Sequence, residues 1–524
     1  MKMTKIHDNY ANNYNLFQLA LPLNVEAIVE LDEDVKLFVD LMRKVNVGKY
    51  LKPTQNIGRT GYDPTTMLLL VLFAYTNQIF SLRKMEDACK YDIRFIGLGR
   101  GITPSHQAFQ NFINDYLIDD INTIFYAINK EIINELKINT DVLYIDGTKF
   151  EANANKNSFV WKKAVLNYRS KLMLKITKFI IDYNEYSSSV FPIKDEYKPN
   201  LLISIKREIQ KEINKHKIEF KSGKGQRKHP LQRYFETVEE YLSKMVEYDE
   251  KISICGPRNS YSKVDKDATF MNMKYDYYNK TGVFKPGYNL QIGVSDFFIL
   301  HLDVFQNPND TKTFIPFMES YKKHYLAMPT YPVGDAGYGS YDNFYYCKEN
   351  RMALSLKYNY FNKVNNDKKF ELKIFNTLNF TKMGDTILCP KGYALHQIGK
   401  SKNTRSIFPK VDYIYECPNC NTCDVKTQCT KAKGNRQVRV NPIQDNFYKE
   451  VDTLLTSDYG QQLCTNRSIQ VEGAFGVIKQ SHQYLRLHRR TLPKVKMELM
   501  LVCIGFNIKK YCKQQRELKT VVFN

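Results

Sequence analysis

Apolar residues recur at three- and four-residue spacing through Val35–Val45, Met67–Tyr75, Leu82–Cys89 and Phe109–Ile133, which predicts a helical domain from about Leu21 to Lys137. Asp63-Pro64 and Thr103-Pro104-Ser105 place a cap or a proline at helix starts, and Ser81 opens the run Leu82-Arg83-Lys84-Met85-Glu86. The period changes at Val142-Leu143-Tyr144-Ile145-Asp146-Gly147. A short apolar run closed by a carboxylate and a glycine predicts a buried strand that ends at a site. A polar helical insertion follows, from about Val160 to Tyr248, with a basic stretch, Lys221-Ser222-Gly223-Lys224-Gly225-Gln226-Arg227-Lys228, that reads as a loop. That loop is either a solvated linker or a phosphate contact.

Strand character returns in Tyr288–Val294 and Phe297–Phe305, and the intervening Ser295-Asp296 suggests a hairpin. After a helix near Thr311–Tyr325, the run Tyr331-Pro332-Val333-Gly334-Asp335-Ala336-Gly337 predicts a second strand ending on an aspartate, and Ala353–Lys357 the next strand. A polar, cysteine-bearing stretch spans about Asn365–Lys449, and helices from about Ser468 to Cys512 close the chain. The expected domains are a helical N-terminal domain (1–137), a core from 138–159 and 260–364, a helical insertion (160–259), a cysteine-rich insertion (365–455) and C-terminal helices (456–524) that complete the core.

Composition changes the picture in two ways. The chain has 524 residues, 43% hydrophobic and 25% charged, so a multidomain globular protein with its own core is expected. Its formal charge of +22 makes a polyanion, nucleic acid first, the expected partner, against the alternatives of a merely basic protein or an anionic membrane surface. The longest apolar run, Met67–Tyr75, is far short of the ~20 residues that cross a bilayer. Met1–Tyr10 lacks a signal-peptide core, so a cytoplasmic, nucleoid-associated protein with reduced cysteines is expected.

Cleaving a phosphodiester with two metal ions needs carboxylates converging from separate elements. Asp146 and Asp335 are candidates for strand ends, although an Asp before a Gly is more often a turn former. In the segment 467–479, Val471, Ala474, Phe475 and Ile478 form an apolar stripe with Glu472 and Lys479 on its edge. Alone, that pattern fits most amphipathic helices.

Taken together the motifs are specific. They are Gly61-Tyr62-Asp63-Pro64, Ser81–Glu86, Tyr144-Ile145-Asp146-Gly147-Thr148-Lys149-Phe150-Glu151-Ala152-Asn153-Ala154, Ser262-Lys263-Val264-Asp265-Lys266-Asp267-Ala268, Gly287-Tyr288-Asn289-Leu290-Gln291, Gly334-Asp335-Ala336-Gly337-Tyr338 and Val471–Lys479. In this order the chain resembles the DDE transposases of bacterial insertion sequences, in the branch with a helical N-terminal domain and a cysteine-rich insertion, over roughly Leu21 to Tyr511. The resemblance implies an α/β, RNase H-like mixed-sheet catalytic core. It also implies Mg²⁺ (or Mn²⁺) on Asp146, Asp335 and Glu472, DNA contact by Lys479, and a homodimer joining two terminal inverted repeats and target DNA. Relatives often carry Tyr and Arg ahead of the Glu, with the Arg one helical turn before it. Here that position is Ser468, Arg467 is one residue further back, and Cys464 falls at the Tyr position, so Arg467 is out of register for its DNA contact.

The basic run Arg486-Leu487-His488-Arg489-Arg490 either tracks phosphates, with Arg489 and Arg490 as contacts, or is a solvated surface. Cys417, Cys420, Cys423 and Cys429, with gaps of two, two and five residues, suit a structural Zn²⁺, with Cys389 as an alternative ligand. Reduced thiols and an iron–sulfur cluster are the competing readings, and the spacing departs from the ferredoxin run. Two rivals to a transposase remain at this stage: a non-enzymatic transposase-derived DNA-binding protein and a stand-alone Mg²⁺ nuclease.

Overall fold

Asp63 and Pro64 begin a helix as the sequence predicts: in this computed structural model Asp63 accepts 2.8 Å hydrogen bonds from the Thr66 amide and hydroxyl, and Pro64 opens the helix Pro64–Thr76. The structure describes residues 32–52, 61–187, 189–223, 226–273, 283–366, 380–383 and 386–522. The opening of the helical pattern at Leu21, the first ten residues, Lys224-Gly225 of the basic stretch and 367–379 of the cysteine-rich region lie outside them.

Two units form, Met1–Asn139 with Met497–Asn524, and Thr140–Lys496. In the first, Pro64–Thr76 is apolar on every side and buried at every position from Met67 to Thr76 but Leu69, as suits a helix at the centre of a bundle. Around it pack helices that include Glu33–Val45, Leu82–Tyr91 and Ile121–Leu136. The single helix read over Phe109–Ile133 is broken: His106–Asn111 runs into a π turn, Phe112–Tyr116, and a new helix starts only at Ile121.

The last helix, Leu492–Val522, differs from expectation. From Met497 onward it belongs with the N-terminal helices and does not complete the core. Its contacts give the reason. Gly505 lies against the backbone of Tyr75, Asn507 donates to buried Asn129 (2.9 Å), and the Tyr511 hydroxyl donates to Glu135 (2.5 Å).

The second unit is built on strands β1 (Val142–Glu151), β2 (Phe159–Trp161), β3 (Ser260–Ser262), β4 (Thr269–Met273), β5 (Val283–Ser295), β6 (Phe298–Phe305), β7 (Tyr331–Gly339) and β8 (Leu356–Tyr358). The main sheet runs β6-β5-β1-β7-β8, with β4 continuing the β6 edge of β5. β1, β5 and β6 are antiparallel, while β7 and β8 run parallel to β1 and to each other, which is the RNase H-like arrangement. The β5–β6 hairpin turns on Asp296 and Phe297, both at positive φ (46° and 68°).

Leu143 and Ile145 face a core with Phe314, Phe317, Phe344, Phe447 and Val451 from covering helices. By the two-residue period Tyr144, Asp146 and Thr148 face the other side of the sheet. Between β2 and β3, paired where the insertion leaves and returns, lie the helices Lys162–Tyr186, Pro199–Lys215 and Pro230–Cys255, with an apolar centre of their own. The cysteine-rich stretch forms an antiparallel meander of β9 (Thr381–Met383), β10 (Thr386–Leu388), β11 (Ala394–Lys402), β12 (Val411–Glu416) and β13 (Gln437–Val440). Among the described residues no helix is long and apolar enough to cross a membrane.

Gly505→Ala gives a test of sign. In an unpacked helix the change gains about 1 kcal/mol. Here the added Cβ would sit 2.5 Å from the Tyr75 carbonyl, and a net loss of about 1–3 kcal/mol is expected. Calorimetry showing an unchanged or raised Tm would contradict this packing.

Candidate active site

The parallel register of β1 and β7 pairs Val142 with Tyr331, Leu143 with Pro332 and Tyr144 with Val333. Carried two residues further, it sets Asp146 opposite Asp335 on the same face. The ladder stops at Tyr144 and Val333, so both aspartates stand where the two strands begin to part. Asp146 Oδ1 accepts from the Gly147 amide (2.7 Å), and Asp335 Oδ1 from the Gly337 amide (2.8 Å). Burial pushes the Asp146 carboxyl up to about 6; the Arg467 guanidinium opposes that shift, and the Asp335 charge adds to it.

Glu472 comes from a helical run over 458–481, on the face of β1 that carries Asp146. The run is fixed along the even-numbered residues of that strand. Arg467 Nη1 donates to Asp146 Oδ2 (3.0 Å), and Lys479 Nζ donates to the Thr148 hydroxyl (2.7 Å) and the Lys149 carbonyl (2.8 Å), 4.6 Å from the Phe150 ring centre. Val471, Ala474 and Ile478 of the predicted stripe are buried, and Glu472 stands at the exposed edge, its side chain 66% accessible.

The one-residue departure at Arg467 has a structural answer. Five residues apart, Arg467 and Glu472 would lie roughly 140° apart around a regular α-helix. The segment Ser468–Glu472 is a π turn, whose five-residue closure brings them back to one side. Arg467 Nη2 lies 3.8 Å from Glu472 Oε1, so this guanidinium, its side chain only 14% exposed, links Asp146 to Glu472. It faces the carboxylates.

One carboxylate at this place was missed in the sequence. Asp310, in the turn Asp310–Lys312, accepts through Oδ1 from Asn289 Nδ2 (2.7 Å) and Gln291 Nε2 (2.9 Å). The buried Tyr338 hydroxyl donates to Gln291 Oε1 and feels the charges of Asp146, Asp310 and Asp335 together. Only the register of β5 against β1, Gly147 opposite Gln291, would have brought Asp310 to notice, and no local motif does so. The Ser262–Ala268 motif, in contrast, is an anchor: Asp265 accepts from the Thr491 amide (3.2 Å) and Asp267 from that of Leu492 (2.8 Å).

The basic run lies along the far end of β1. The Leu487 amide donates to the Glu151 carbonyl (2.9 Å), Asn153 to the His488 carbonyl (2.7 Å), and Arg490 Nε to the Asn153 carbonyl (2.9 Å). Arg490 is exposed and Arg489 half-buried. In the cysteine-rich sheet, Cys389 joins Cys417, Cys420, Cys423 and Cys429 around one small cavity. Amides of Tyr393 and Arg436 donate to the Cys389 and Cys420 sulfurs (3.3 and 3.2 Å), and burial pushes the Cys417 thiol up to about 12.

As they stand, no three His, Cys, Asp or Glu side chains among the described residues are arranged to hold a metal ion. By donor chemistry the acids suit a hard divalent cation: Asp146 and Asp335 stand on neighbouring strands, and Glu472 is linked to Asp146 through Arg467. A Cβ on Gly337 would lie 2.9 Å from Asp335 Oδ1, so this glycine keeps space open beside that carboxylate; one on Gly147 would meet Gln291 Nε2 at 2.0 Å and Asp310 Oδ1 at 2.9 Å.

Two family models match the chain: a transposase DDE domain over residues 388–512, and a transposase domain of the DUF772 type over 28–115. Both matches are to transposase families, and together they support a DDE transposase of an insertion sequence. The first match contains Glu472, Arg467, Lys479, the basic run and the Cys417–Cys429 cluster; the second lies in the N-terminal helices. Asp146 and Asp335 fall outside both, and their pairing rests on the sheet register. No curated protein and no solved structure matches the chain.

Arg467→Ala should destabilise this transposase by about 1–3 kcal/mol at pH 7.5, because a buried ionised Asp146 loses its partner. The Asp146 pKa is raised in the folded state, so below about pH 6 the carboxyl is neutral and needs no partner. The Tm difference from wild type should therefore shrink on going to pH 5. An equal difference at both pH values would contradict the pairing.

Proposed function

We propose that this transposase cuts DNA at the ends of its insertion sequence and joins them to target DNA, with Asp146, Asp335 and Glu472 as its catalytic carboxylates. The observation that carries this reading is the register setting Asp146 opposite Asp335, with Arg467 tying Asp146 to Glu472 across the sheet face.

Mg²⁺ or Mn²⁺ bound to these acids would supply the Lewis acidity for attack on a phosphodiester and for departure of the leaving oxygen. Water attack leaves a 3′-hydroxyl, and that hydroxyl attacks a target phosphodiester in line, so no covalent protein–DNA bond is required. Asp146 sits buried beside a second carboxylate, which favours a strong demand for a cation and little water. Lys479, held on β1 two residues past Asp146, is placed to neutralise a phosphate near the site, and the run with Arg489 and Arg490 extends basic surface along the same strand. Two ends must meet, so the working form on DNA is a homodimer. A transposase-derived binding protein would need no acid pair on neighbouring strands, and its presence favours the enzyme over that rival.

Cleavage of the gene's flanking DNA, assayed with Mg²⁺ and Mn²⁺ and with binding followed in parallel, tests the reading. Asp335→Asn and Glu472→Gln should each lose at least ~100-fold in cutting, ~2.7 kcal/mol of barrier, while binding is kept. Binding of the ends by wild type without cutting by either metal would favour the non-enzymatic reading. Cutting without any joining would favour a nuclease.

A further inference from the structure

We propose that Asp310 is a fourth carboxylate of this active site, sharing with Asp335 the divalent cation on which the proposed function rests.

Asp310 lies beside both strands, near Gly147 of β1 and Gly337 of β7. Oδ1 lies on the Gly147 side, fixed by the two amide donors Asn289 and Gln291. Oδ2 turns to the other side: a Cβ on Gly337 would lie 3.8 Å from it and 2.9 Å from Asp335 Oδ1, so the two oxygens border one small space. The turn carrying Asp310 is locked to the strand carrying Asp335. The Thr311 hydroxyl donates to the Gly337 carbonyl (2.7 Å), and Asn343 Nδ2 donates to the carbonyls of Thr311 (3.0 Å) and Tyr338 (2.7 Å).

An acid needed only to satisfy two amides could be an asparagine, whose single carbonyl oxygen accepts both. A carboxylate offers a second oxygen and a charge, and here that oxygen faces Asp335. A divalent cation between them would take one oxygen from each carboxylate. The geometry therefore assigns Oδ1 to anchoring and Oδ2 to the cation.

The test uses the full chain with its flanking-end DNA and Mn²⁺ as probe, reading free Mn²⁺ by electron paramagnetic resonance alongside Tm. Asp310→Asn keeps the amide acceptor and should weaken Mn²⁺ affinity roughly ten-fold or more with Tm near wild type. If Asp310→Asn binds Mn²⁺ like wild type while Asp335→Asn does not, Asp310 is only an anchor and the proposal falls, with the active-site reading intact. If Asp335→Asn and Glu472→Gln also bind like wild type, the site reading itself falls. Should Asp310→Asn not fold, Fe²⁺-driven backbone scission of wild type decides: cuts near Asn309–Thr311 as well as near Asp335 support the proposal, and cuts near Asp335 alone overturn it.

Discussion

A buried aspartate facing a second aspartate is the constraint around which the catalytic unit is arranged. Asp146 is drawn out of water on β1, and burial together with Asp335 raises its carboxyl to about 6. Charge of that kind persists in a folded protein only against a counter-charge. Arg467 provides one, and it does so from a separate element, so the helical run over 458–481 has to lie on this face of the sheet. The parallel pairing of β1 with β7 and the seat of Glu472 are parts of the same arrangement.

The π turn at Ser468–Glu472 shows how such a site tolerates a shifted sequence. Moving an arginine one residue along a regular helix would swing it roughly 100° away from its partner. Widening a single turn restores the direction while the buried stripe of Val471, Ala474 and Ile478 keeps its place on the sheet. Lys479 lies in a second π turn, Val477–Ser481, and its hydrogen bonds to Thr148 and Lys149 hold it on β1.

Much of this was legible in the sequence, for definite reasons. Asp146 and Asp335 each close a short apolar run, and the stripe around Glu472 is local, so period and punctuation suffice to find them. What escaped depends on distant partners. The last helix has a helical pattern wherever it packs, and only Gly505 against Tyr75, far away in the chain, decides that it joins the N-terminal helices. The cysteine-rich meander has short strands whose pairing is not local, and Cys389 meets Cys417 only through it. Asp310 lies in a polar turn, Asn307-Pro308-Asn309-Asp310, that reads as a loop until β5 and β7 place it beside Asp335.

The most direct test of the account is the position of the cation itself. A crystal of the transposase on its end DNA, grown with Mn²⁺ and measured for anomalous scattering, should show a peak within ~2.5 Å of carboxylate oxygens of both Asp146 and Asp335, with Arg467 turned away from Asp146. A peak held by other residues, with Arg467 still on Asp146, would contradict it.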